Sequence, residues 1–332
     1  MIRMVLCGRI LIETMISFLR LIRFPNLLLI ALVQYLVRYC LIGSMVRFSE
    51  LKLQMSNFDF FLLSLSTVMI AAAGYIINDY FDTRIDSVNK PGKVIVGRTI
   101  KRRFAMGAHI LISFLAICIG FYLALKVGMY KLGFIHVLSA GFLWFYSTDF
   151  KKQLVLGNLV VAMLAALVPL IVGLYEIPLL IKRYHDILVE SSANFNFIFY
   201  FVAAYSGFSF LTTFVREVVK DMEDFIGDKE FGRNTIPIAL GIKAAKGISI
   251  LLILLMMALL AFPQYEQWIS GDKISFYYFL IFIQLPFGFL AYKIYKADKV
   301  KDYSFASRVC KAIMYFGICY TLVFYFLIAK VV

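Results

Sequence analysis

The sequence is short of charged residues, and this shortage excludes an ordinary soluble fold. Of its 332 residues, 16% are charged and 62% are hydrophobic. A typical soluble domain is about 25% charged and roughly half apolar, so we expect this chain to lie in a bilayer. Cysteine is scarce as well. The five cysteines show no metal-site spacing and are interpreted as buried thiols; they are Cys7, Cys40, Cys118, Cys310 and Cys319.

Two further features are missing from the sequence, namely a signal-peptide cleavage site and a nucleic-acid-binding motif. No small-residue cleavage site follows an uninterrupted apolar core, and residues 1–23 are broken by Arg3, Arg9, Glu13 and Arg20. We therefore predict an amphipathic segment at the membrane surface rather than a cleaved signal. The net charge is +14, but the basic residues are divided among short loops without a nucleic-acid motif, so we expect no nucleic-acid partner.

Long apolar stretches dominate what is present. A helix needs roughly 20 apolar residues to cross a bilayer, and the sequence offers about nine such stretches. We predict an all-α integral membrane protein, in which Gln34 and Arg38 interrupt the first span. The predicted spans are 24–43, 58–78, 104–125, 129–147, 153–175, 195–216, 238–262, 274–292 and 310–331.

The lysines and arginines predict the orientation in the membrane. Most of the 34 Lys and Arg fall in the N-terminal segment and in alternate loops, which should face the cytoplasm. An odd number of spans then leaves the C-terminus outside, and we expect a bacterial-type inner (plasma) membrane. The loops concerned are 79–103, 148–152, 217–237 and 293–309.

Two segments stand out by their density of aspartate. They are NDYFDTRID at 78–86 and KDMEDFIGD at 220–228. Each follows an apolar span and faces the same side in the predicted topology, which indicates two pseudo-repeated helical halves. The two segments align without a gap, pairing Asp79 with Asp221, Asp82 with Asp224, and Asp86 with Asp228.

The spacing of these aspartates predicts a metal site. Residues three, four and seven apart share a helix face, so each segment should carry its carboxylates on one stripe. Such carboxylates repel each other unless something positive lies between them. Mg²⁺ prefers one or two carboxylates together with water and substrate phosphate. Two stripes facing each other would therefore bind a diphosphate through bridging Mg²⁺ ions.

Basic residues near both segments fit the same prediction. They can bind phosphate oxygens that a metal leaves free, although each of them alone is also explained as a topology determinant. Those near the first segment and in the short loop are Lys90, Lys93, Arg98, Lys151 and Lys152, and those around the second are Arg216, Lys220, Lys229 and Arg233.

At these residues the sequence resembles a known family. Asn78, Asp82 and Asp86 are similar to the NxxxDxxxD motif of the UbiA superfamily of intramembrane prenyltransferases. Its second DxxxD motif is similar to Asp224 and Asp228, followed by Gly232 and Thr235. The resemblance covers nearly the whole chain and includes Arg23-Phe24-Pro25-Asn26 and Tyr146 with Lys151 and Lys152.

The resemblance implies a fold, a reaction and roles for residues. The fold would be a single multipass domain over 1–332, with nine helices around a central cavity capped by acidic loops near 78–103 and 216–237. The reaction would be Mg²⁺-dependent transfer of a prenyl group from a prenyl diphosphate to a lipid-soluble acceptor. The catalytic metal ligands would be Asp82, Asp86, Asp224 and Asp228, supported by Asn78, Asp79 and Asp221. The substrate-binding residues would be Asn78, Lys90, Arg98, Lys151, Lys152, Arg23 and Asn26.

The second acidic segment indicates the acceptor. Residues 216–237, REVVKDMEDFIGDKEFGRNTIP, resemble the branch of geranylgeranylglyceryl-phosphate geranylgeranyltransferases, so we expect an ether-lipid acceptor. Aromatic prenylation in quinone, heme or pigment biosynthesis uses the same aspartates and stays open. A divalent-cation transporter is the non-enzyme alternative, but its acids should lie near mid-span rather than at span ends.

Overall fold

The computed structural model describes residues 13–89, 92, 94–191 and 194–330, which are mainly helical. Helix is the form that satisfies backbone N–H and C=O groups within a bilayer. The one extended pairing in these ranges is an isolated bridge between Val96 and Ile100. The long helices are α1 (Phe24–Phe48), α2 (Asn57–Asn89), α3 (Arg102–Val127), α4 (Gly133–Thr148), α5 (Leu156–Arg183), α6 (Asn196–Glu223), α7 (Ile242–Ile269), α8 (Lys273–Lys296) and α9 (Val300–Ala329).

The number of spans agrees with the sequence. Among the described residues, 8 helices have the length and hydropathy of a membrane span. The remaining long helix, α4, has 16 residues and directly follows the 3₁₀ turn Tyr130–Leu132. At about 1.5 Å per α-helical and about 2 Å per 3₁₀ residue, the two together rise about 30 Å, the thickness of the hydrocarbon core. The chain is therefore a multipass membrane protein with about nine transmembrane helices, as predicted.

The helices form two compact units. Unit 1 contains the described residues up to Leu32 and Ser56–Phe150, and unit 2 contains Val33–Met55 and Lys151–Val332. The border falls within α1, so the second half of that helix belongs to unit 2. Each unit carries one of the two acidic segments, as the predicted helical halves require.

In unit 1, α2 packs against α3 and α4. Small residues let these helices approach closely. A Cβ added at Gly120 would lie 2.4 Å from the ring of His136, and one added at Gly74 would lie 2.8 Å from Leu143. The His136 ring is fixed by Ser66, whose Oγ lies 2.8 Å from Nδ1. These contacts hold α2 and its acidic end in a defined rotation.

In unit 2, α6 packs against α5, α7 and α9. Pro169 of α5 has no N–H, so the carbonyl of Ala165 lacks its helical donor. Ser209 of α6 supplies the missing bond, because its Oγ donates to Ala165 O at 3.1 Å. The core of this unit includes Val215, Val218, Met222, Ile253, Phe287 and Ile313. The helix that carries the second acidic segment is thus packed on three sides.

A buried ion pair joins α1 to α5 within unit 2. Arg38 lies in a π-helical turn, Val37–Ile42, and its Nε is 3.8 Å from Glu176 Oε2, with both side chains 1% exposed. Glu176 Oε1 accepts the backbone N–H groups of Gln54 and Met55 at 2.5 and 3.1 Å. Arg38 also donates to the carbonyl oxygen of Met55. The pair therefore ties the loop after α1 into the helix bundle.

The polar residues in the first predicted span do not end that span. Gln34 donates through Nε2 to the carbonyl of Val168 at 3.3 Å, and Arg38 has the partners described above. Because both find acceptors inside the protein, α1 continues to Phe48 instead of ending near residue 43.

The first acidic segment is helical, as the spacing of its aspartates predicts, although the span boundaries had placed it in a loop from residue 79. Residues 78–86 continue α2, which ends at Asn89. Loss of hydropathy marks the edge of the membrane, but it does not end a helix. Pro91 follows in the sequence, and because the residue before a proline is disfavoured in the helical region, the sequence predicts a helix end close to this point.

The second acidic segment is interrupted rather than continuous. Helix α6 ends at Glu223, Asp224 has φ −91° and ψ 9°, and a short helix, Phe225–Glu230, follows. Aspartate favours helix ends because its short polar side chain competes for nearby backbone groups. The prediction of a single carboxylate stripe is therefore wrong for this segment.

The cysteines and the N-terminal segment give mixed outcomes. Cys310 is buried, whereas Cys118 is exposed on α3, so the interpretation as buried thiols is wrong for Cys118. Cys7 and residues 1–12 of the predicted surface segment lie outside the described residues. In the described remainder, residues 13–21 are helical, and Leu21 packs in the core of unit 1.

We expect Glu176→Gln to destabilise the protein, because Arg38 would keep its charge in a buried site without a carboxylate. Removing one partner of a buried ion pair costs about 3–5 kcal/mol, whereas replacing both partners by apolar residues can be neutral. The double variant Arg38→Met/Glu176→Leu should therefore lose less stability than Glu176→Gln. Thermal unfolding of the purified proteins in detergent measures both, with the exposed Glu190→Gln as control. A Glu176→Gln variant as stable as the wild type would contradict this role of the pair.

Candidate functional site

The first acidic segment lies on the last turns of α2. Asn78 and Asp79 are half-buried, and Asp82 is 8% exposed. Their spacing puts Asp79 and Asp82 on adjacent turns of one helix face. Asp86 belongs to the same helix, but its side chain and the whole of Lys90 lie outside the described part of the chain.

Arg23 and Asn26 lie beside this segment within unit 1. Arg23 Nη2 donates to Asp79 Oδ1 at 3.1 Å, and the guanidinium carbon lies 4.7 Å from the centroid of the Tyr75 ring. Asn26 Nδ2 donates to the Tyr75 hydroxyl at 3.4 Å. The structure thus brings both predicted substrate-binding residues to the end of α2, where Tyr75 links them.

Arg23 is held in an unusual backbone conformation. Its φ is 52°, in the left-handed region that few non-glycine residues adopt. Burial, the largest influence, lowers the pKa of the Arg23 guanidinium, but the charge of Asp79 and the neighbouring Tyr75 and Tyr146 outweigh it and raise that pKa. Arg23 therefore stays charged. Strain of this kind persists where surrounding contacts fix the residue, often at functional sites.

The second acidic segment contains the more deeply buried carboxylate. Asp228 is 3% exposed at its side chain and accepts from Arg233 Nη1 at 3.0 Å. Asp221 Oδ2 accepts from Asn158 Nδ2 of α5 at 2.8 Å. Asp224 lies between them, half-buried at the break after α6. Each of the outer two carboxylates thus has a partner from the protein.

Another acid on α6, Glu217, pairs with two cations. Glu217 Oε1 accepts from Arg216 Nη1 at 2.6 Å, and Glu217 Oε2 lies 3.6 Å from Lys220 Nζ. The Glu217 side chain is 8% exposed. The cations that precede the second acidic segment are therefore fixed by a buried carboxylate and are not free in solvent.

The other predicted phosphate-binding residues differ in exposure. Lys151 is buried, and Lys152 is exposed. The carbonyl of Lys152 accepts the backbone N–H of Asn234 at 2.9 Å, which ties the short basic loop to the second acidic segment within unit 2. Arg98 is exposed in a turn of unit 1, where its backbone N–H donates to Ile95 O at 3.2 Å.

The site residues predicted from the sequence did not include Glu217 or Asn158. Glu217 had a detectable signal, because an acid three residues before Lys220 and four before Asp221 shares their helix face. Asn158 had none, since it lies on a different helix and its contact with Asp221 depends on the packing of α5 against α6.

The described ranges contain no group of three His, Cys, Asp or Glu side chains arranged to hold a metal ion. Their carboxylates instead bind Arg23, Arg233 and Asn158. The donor set nevertheless suits Mg²⁺, which takes one or two protein carboxylates beside water and phosphate. The described candidates for such ligands are Asn78, Asp79, Asp82, Asp221, Asp224 and Asp228.

Comparison with protein families and curated proteins gives consistent matches. The model of the UbiA prenyltransferase family matches residues 48–326. A digeranylgeranylglyceryl phosphate synthase of Methanosphaera stadtmanae is 30% identical over 196 residues, which cover 59% of this chain and 63% of the relative. The synthase of that name from Methanothermobacter thermautotrophicus is 34% identical over 189 residues, covering 56% and 58%. The match spans about three fifths of the length of these relatives.

Solved structures show the same fold. A structure from work on digeranylgeranylglyceryl phosphate synthase in membranes has a TM-score of 0.63 at 23% identity and covers 94% of this chain and 99% of that one. A UbiA homologue from Archaeoglobus fulgidus bound to GPP and Mg²⁺ has a TM-score of 0.54 at 16% identity, with coverage of 91% and 98%. At these identities the likeness concerns the fold alone.

We expect Arg233→Gln to cost more stability than Arg23→Gln. Asp228, the partner of Arg233, is 3% exposed at its side chain, so it would keep a charge in a dry site. The Arg23 pair is more open to solvent, at 41% and 19% side-chain exposure, and the contribution of an ion pair falls toward about 0–1 kcal/mol as the pair becomes exposed. Thermal unfolding in metal-free detergent solution compares the two variants, with the exposed Lys243→Gln as control. The opposite order would show that burial does not decide the strength of these pairs.

Proposed function

Because the chain belongs to the UbiA prenyltransferase family, we propose that it transfers a prenyl group from an allylic prenyl diphosphate to a lipid-soluble acceptor. The observation that carries this proposal is the pair of acidic segments, each at the end of a long membrane helix and each paired with arginine. The names of its relatives and the GPP and Mg²⁺ bound to one structural neighbour support it.

Four aspartates would hold Mg²⁺ in this proposal, namely Asp82, Asp86, Asp224 and Asp228. Asn78, Asp79 and Asp221 would contribute further oxygen atoms beside them. Bound Mg²⁺ would neutralise the negative charge that builds on the diphosphate as it leaves. The hydrogen bonds to Asp79 and Asp228 would hold these carboxylates in place before a metal binds.

The basic residues would bind the diphosphate oxygens that the metal does not reach. When the allylic C–O bond breaks, its electron pair stays on the diphosphate and positive charge develops on the prenyl carbon. Cations already in position stabilise the leaving group without reorganisation. We assign this role to Lys90, Arg98, Lys151 and Lys152, with Arg23 and Asn26 at the end of α2.

Aromatic rings would protect the prenyl cation. A carbocation is stabilised by ring faces and survives only where water is excluded. Within unit 1, Phe81 follows the first residues of the acidic segment and meets Trp144 edge to face, with ring centroids 5.9 Å apart. Trp144 also lies 5.4 Å from the ring of His109. This row of rings is the described aromatic group nearest in sequence to Asp82.

We further propose that the acceptor is geranylgeranylglyceryl phosphate, whose hydroxyl oxygen would form the new C–O bond as it loses its proton. The synthase names of the curated relatives and the residues 216–237 support this acceptor. We propose the cytoplasm as the side of the N-terminus and of both acidic segments, the outside for the C-terminus, and the plasma membrane as the location. The distribution of Lys and Arg supports this orientation.

We expect Asp82→Asn to abolish turnover while the protein stays folded. The substitution keeps the size of the side chain but removes a negative charge that would bind Mg²⁺, so activity should fall by roughly two orders of magnitude or more, about 3 kcal/mol in the barrier. Radiolabelled prenyl transfer in membranes, with and without EDTA, measures the effect. Asp186→Asn, at an acid whose side chain is 98% exposed, should behave as the wild type. An active Asp82→Asn enzyme would remove the metal argument for the first segment.

A second assay separates the acceptors. With geranylgeranyl diphosphate and Mg²⁺, we expect product from geranylgeranylglyceryl phosphate and none from 4-hydroxybenzoate or 1,4-dihydroxy-2-naphthoate. Product from an aromatic acceptor alone would assign the protein to quinone synthesis. Release of diphosphate that is sensitive to EDTA, without product from any acceptor, would leave the donor site intact and refute this acceptor.

A further inference from the structure

The cation group on α6 begins one turn before the second acidic segment. Arg216 and Lys220 share the carboxylate of Glu217, at 2.6 and 3.6 Å. Arg216 precedes Asp221 by five residues and Asp224 by eight. At 1.5 Å per residue it therefore lies roughly 7 and 12 Å further into α6 than these carboxylates. The group sits deeper along the membrane helix than the proposed metal ligands.

A charged arginine within a membrane helix costs free energy unless a partner or a ligand neutralises it. Charged residues within membrane helices are rare and usually mark substrate pathways or internal pairs. Glu217 pairs with both cations, and Lys220 also lies next to Asp221 in the sequence, which accepts from Asn158 of α5. The Nε–H of Arg216 is buried without a hydrogen-bond partner in the described residues. Arg216 thus keeps a donor that the described protein groups do not use.

Its depth along α6 distinguishes Arg216 from the other cations near the segment. Arg233 is occupied by Asp228 at 3.0 Å. Lys152 and Lys229 are exposed to solvent, where they can serve the diphosphate at the membrane surface. Arg216, with 21% of its side chain exposed, is accessible and yet within the helix bundle, where a lipid-soluble substrate would bring its polar end.

We propose that Arg216 binds the phosphate of the acceptor, with Lys220 as second donor and Glu217 as the residue that positions both. The inference rests on the proposed function. In a glyceryl phosphate, the phosphate and the reacting hydroxyl share a three-carbon backbone, so a cation is needed close to the diphosphate site but separate from it. A phosphate monoester carries nearly two negative charges at neutral pH and suits two donors on adjacent turns. Arg216 would thereby select phosphorylated acceptors.

Equilibrium binding to the purified protein, without prenyl diphosphate, tests the proposal apart from turnover. The probes are radiolabelled geranylgeranylglyceryl phosphate and the same lipid without its phosphate. We expect the wild type to bind the phosphorylated lipid more tightly. Arg216→Gln should weaken that binding roughly tenfold or more, as loss of a charge-assisted hydrogen bond implies, and leave the dephosphorylated lipid unaffected. Arg216→Lys should restore part of the difference, and Lys243→Gln should change nothing.

The KM values for the two substrates distinguish a role of Arg216 in acceptor binding from a purely structural role. Arg216→Gln and Glu217→Gln should raise the KM for the acceptor, while the KM for the prenyl diphosphate and the Mg²⁺-dependent release of diphosphate stay near the wild-type values. A raised KM for the prenyl diphosphate with unchanged acceptor binding would assign Arg216 to the diphosphate and overturn the proposal.

The outcomes separate this inference from the function on which it rests. If the wild type binds the phosphorylated lipid through Arg216 but transfers no prenyl group to it, the proposed reaction fails and the binding site stands. If the wild type transfers the prenyl group and Arg216→Gln binds the lipid equally well, the reaction stands and the site is refuted. If Arg216→Gln does not fold, the variants Arg216→Lys and Glu217→Gln test the proposed site. Unchanged acceptor binding in both variants would refute the proposal.

Discussion

Neutralisation of charge inside the membrane is the constraint on which this structure depends. An ionised group in hydrocarbon must find its partner within the protein. Arg38 and Glu176 form such a pair at 1% exposure, and Glu176 also binds the loop after α1. Lys126 and Asp59 pair at 2.8 Å between the ends of α3 and α2. The same requirement operates at both acidic segments, where Arg23 pairs with Asp79, Asn158 with Asp221 and Arg233 with Asp228.

This constraint also explains why the candidate site resembles a set of ion pairs more than a metal cage. Carboxylates close together repel, and the protein offsets the repulsion with Arg23 and Arg233. A divalent cation that arrives with a diphosphate brings both signs of charge at once. In the proposed reaction the arginines would bind phosphate oxygens while the carboxylates bind metal, so the charge within each segment would stay balanced.

The sequence predicts the broad architecture because hydropathy and aspartate spacing are local properties. The spans, the two acidic segments and their helical character at 78–86 follow from them. Features that depend on packing were not predictable. No sequence pattern predicts the contact of Glu176 with Arg38 or that of Asn158 with Asp221, because the partners lie on different helices. The break at Asp224 was also missed, since the same spacing fits one helix or two. Glu217 could have been found from its spacing to Lys220.

The two acidic segments share a spacing but differ in their surroundings. In unit 1, Asp79 is 19% exposed and paired with an arginine from the start of α1; in unit 2, Asp228 is 3% exposed and paired with an arginine five residues along its own segment. A partner on another element can move away with that element, whereas a local partner moves with its carboxylate. Asp79 is therefore the easier of the two to release to a ligand. Asp221, which aligns with Asp79, is likewise held from another helix, by Asn158 of α5, so each segment has one carboxylate of this kind, and Asp228 is the one with a local partner.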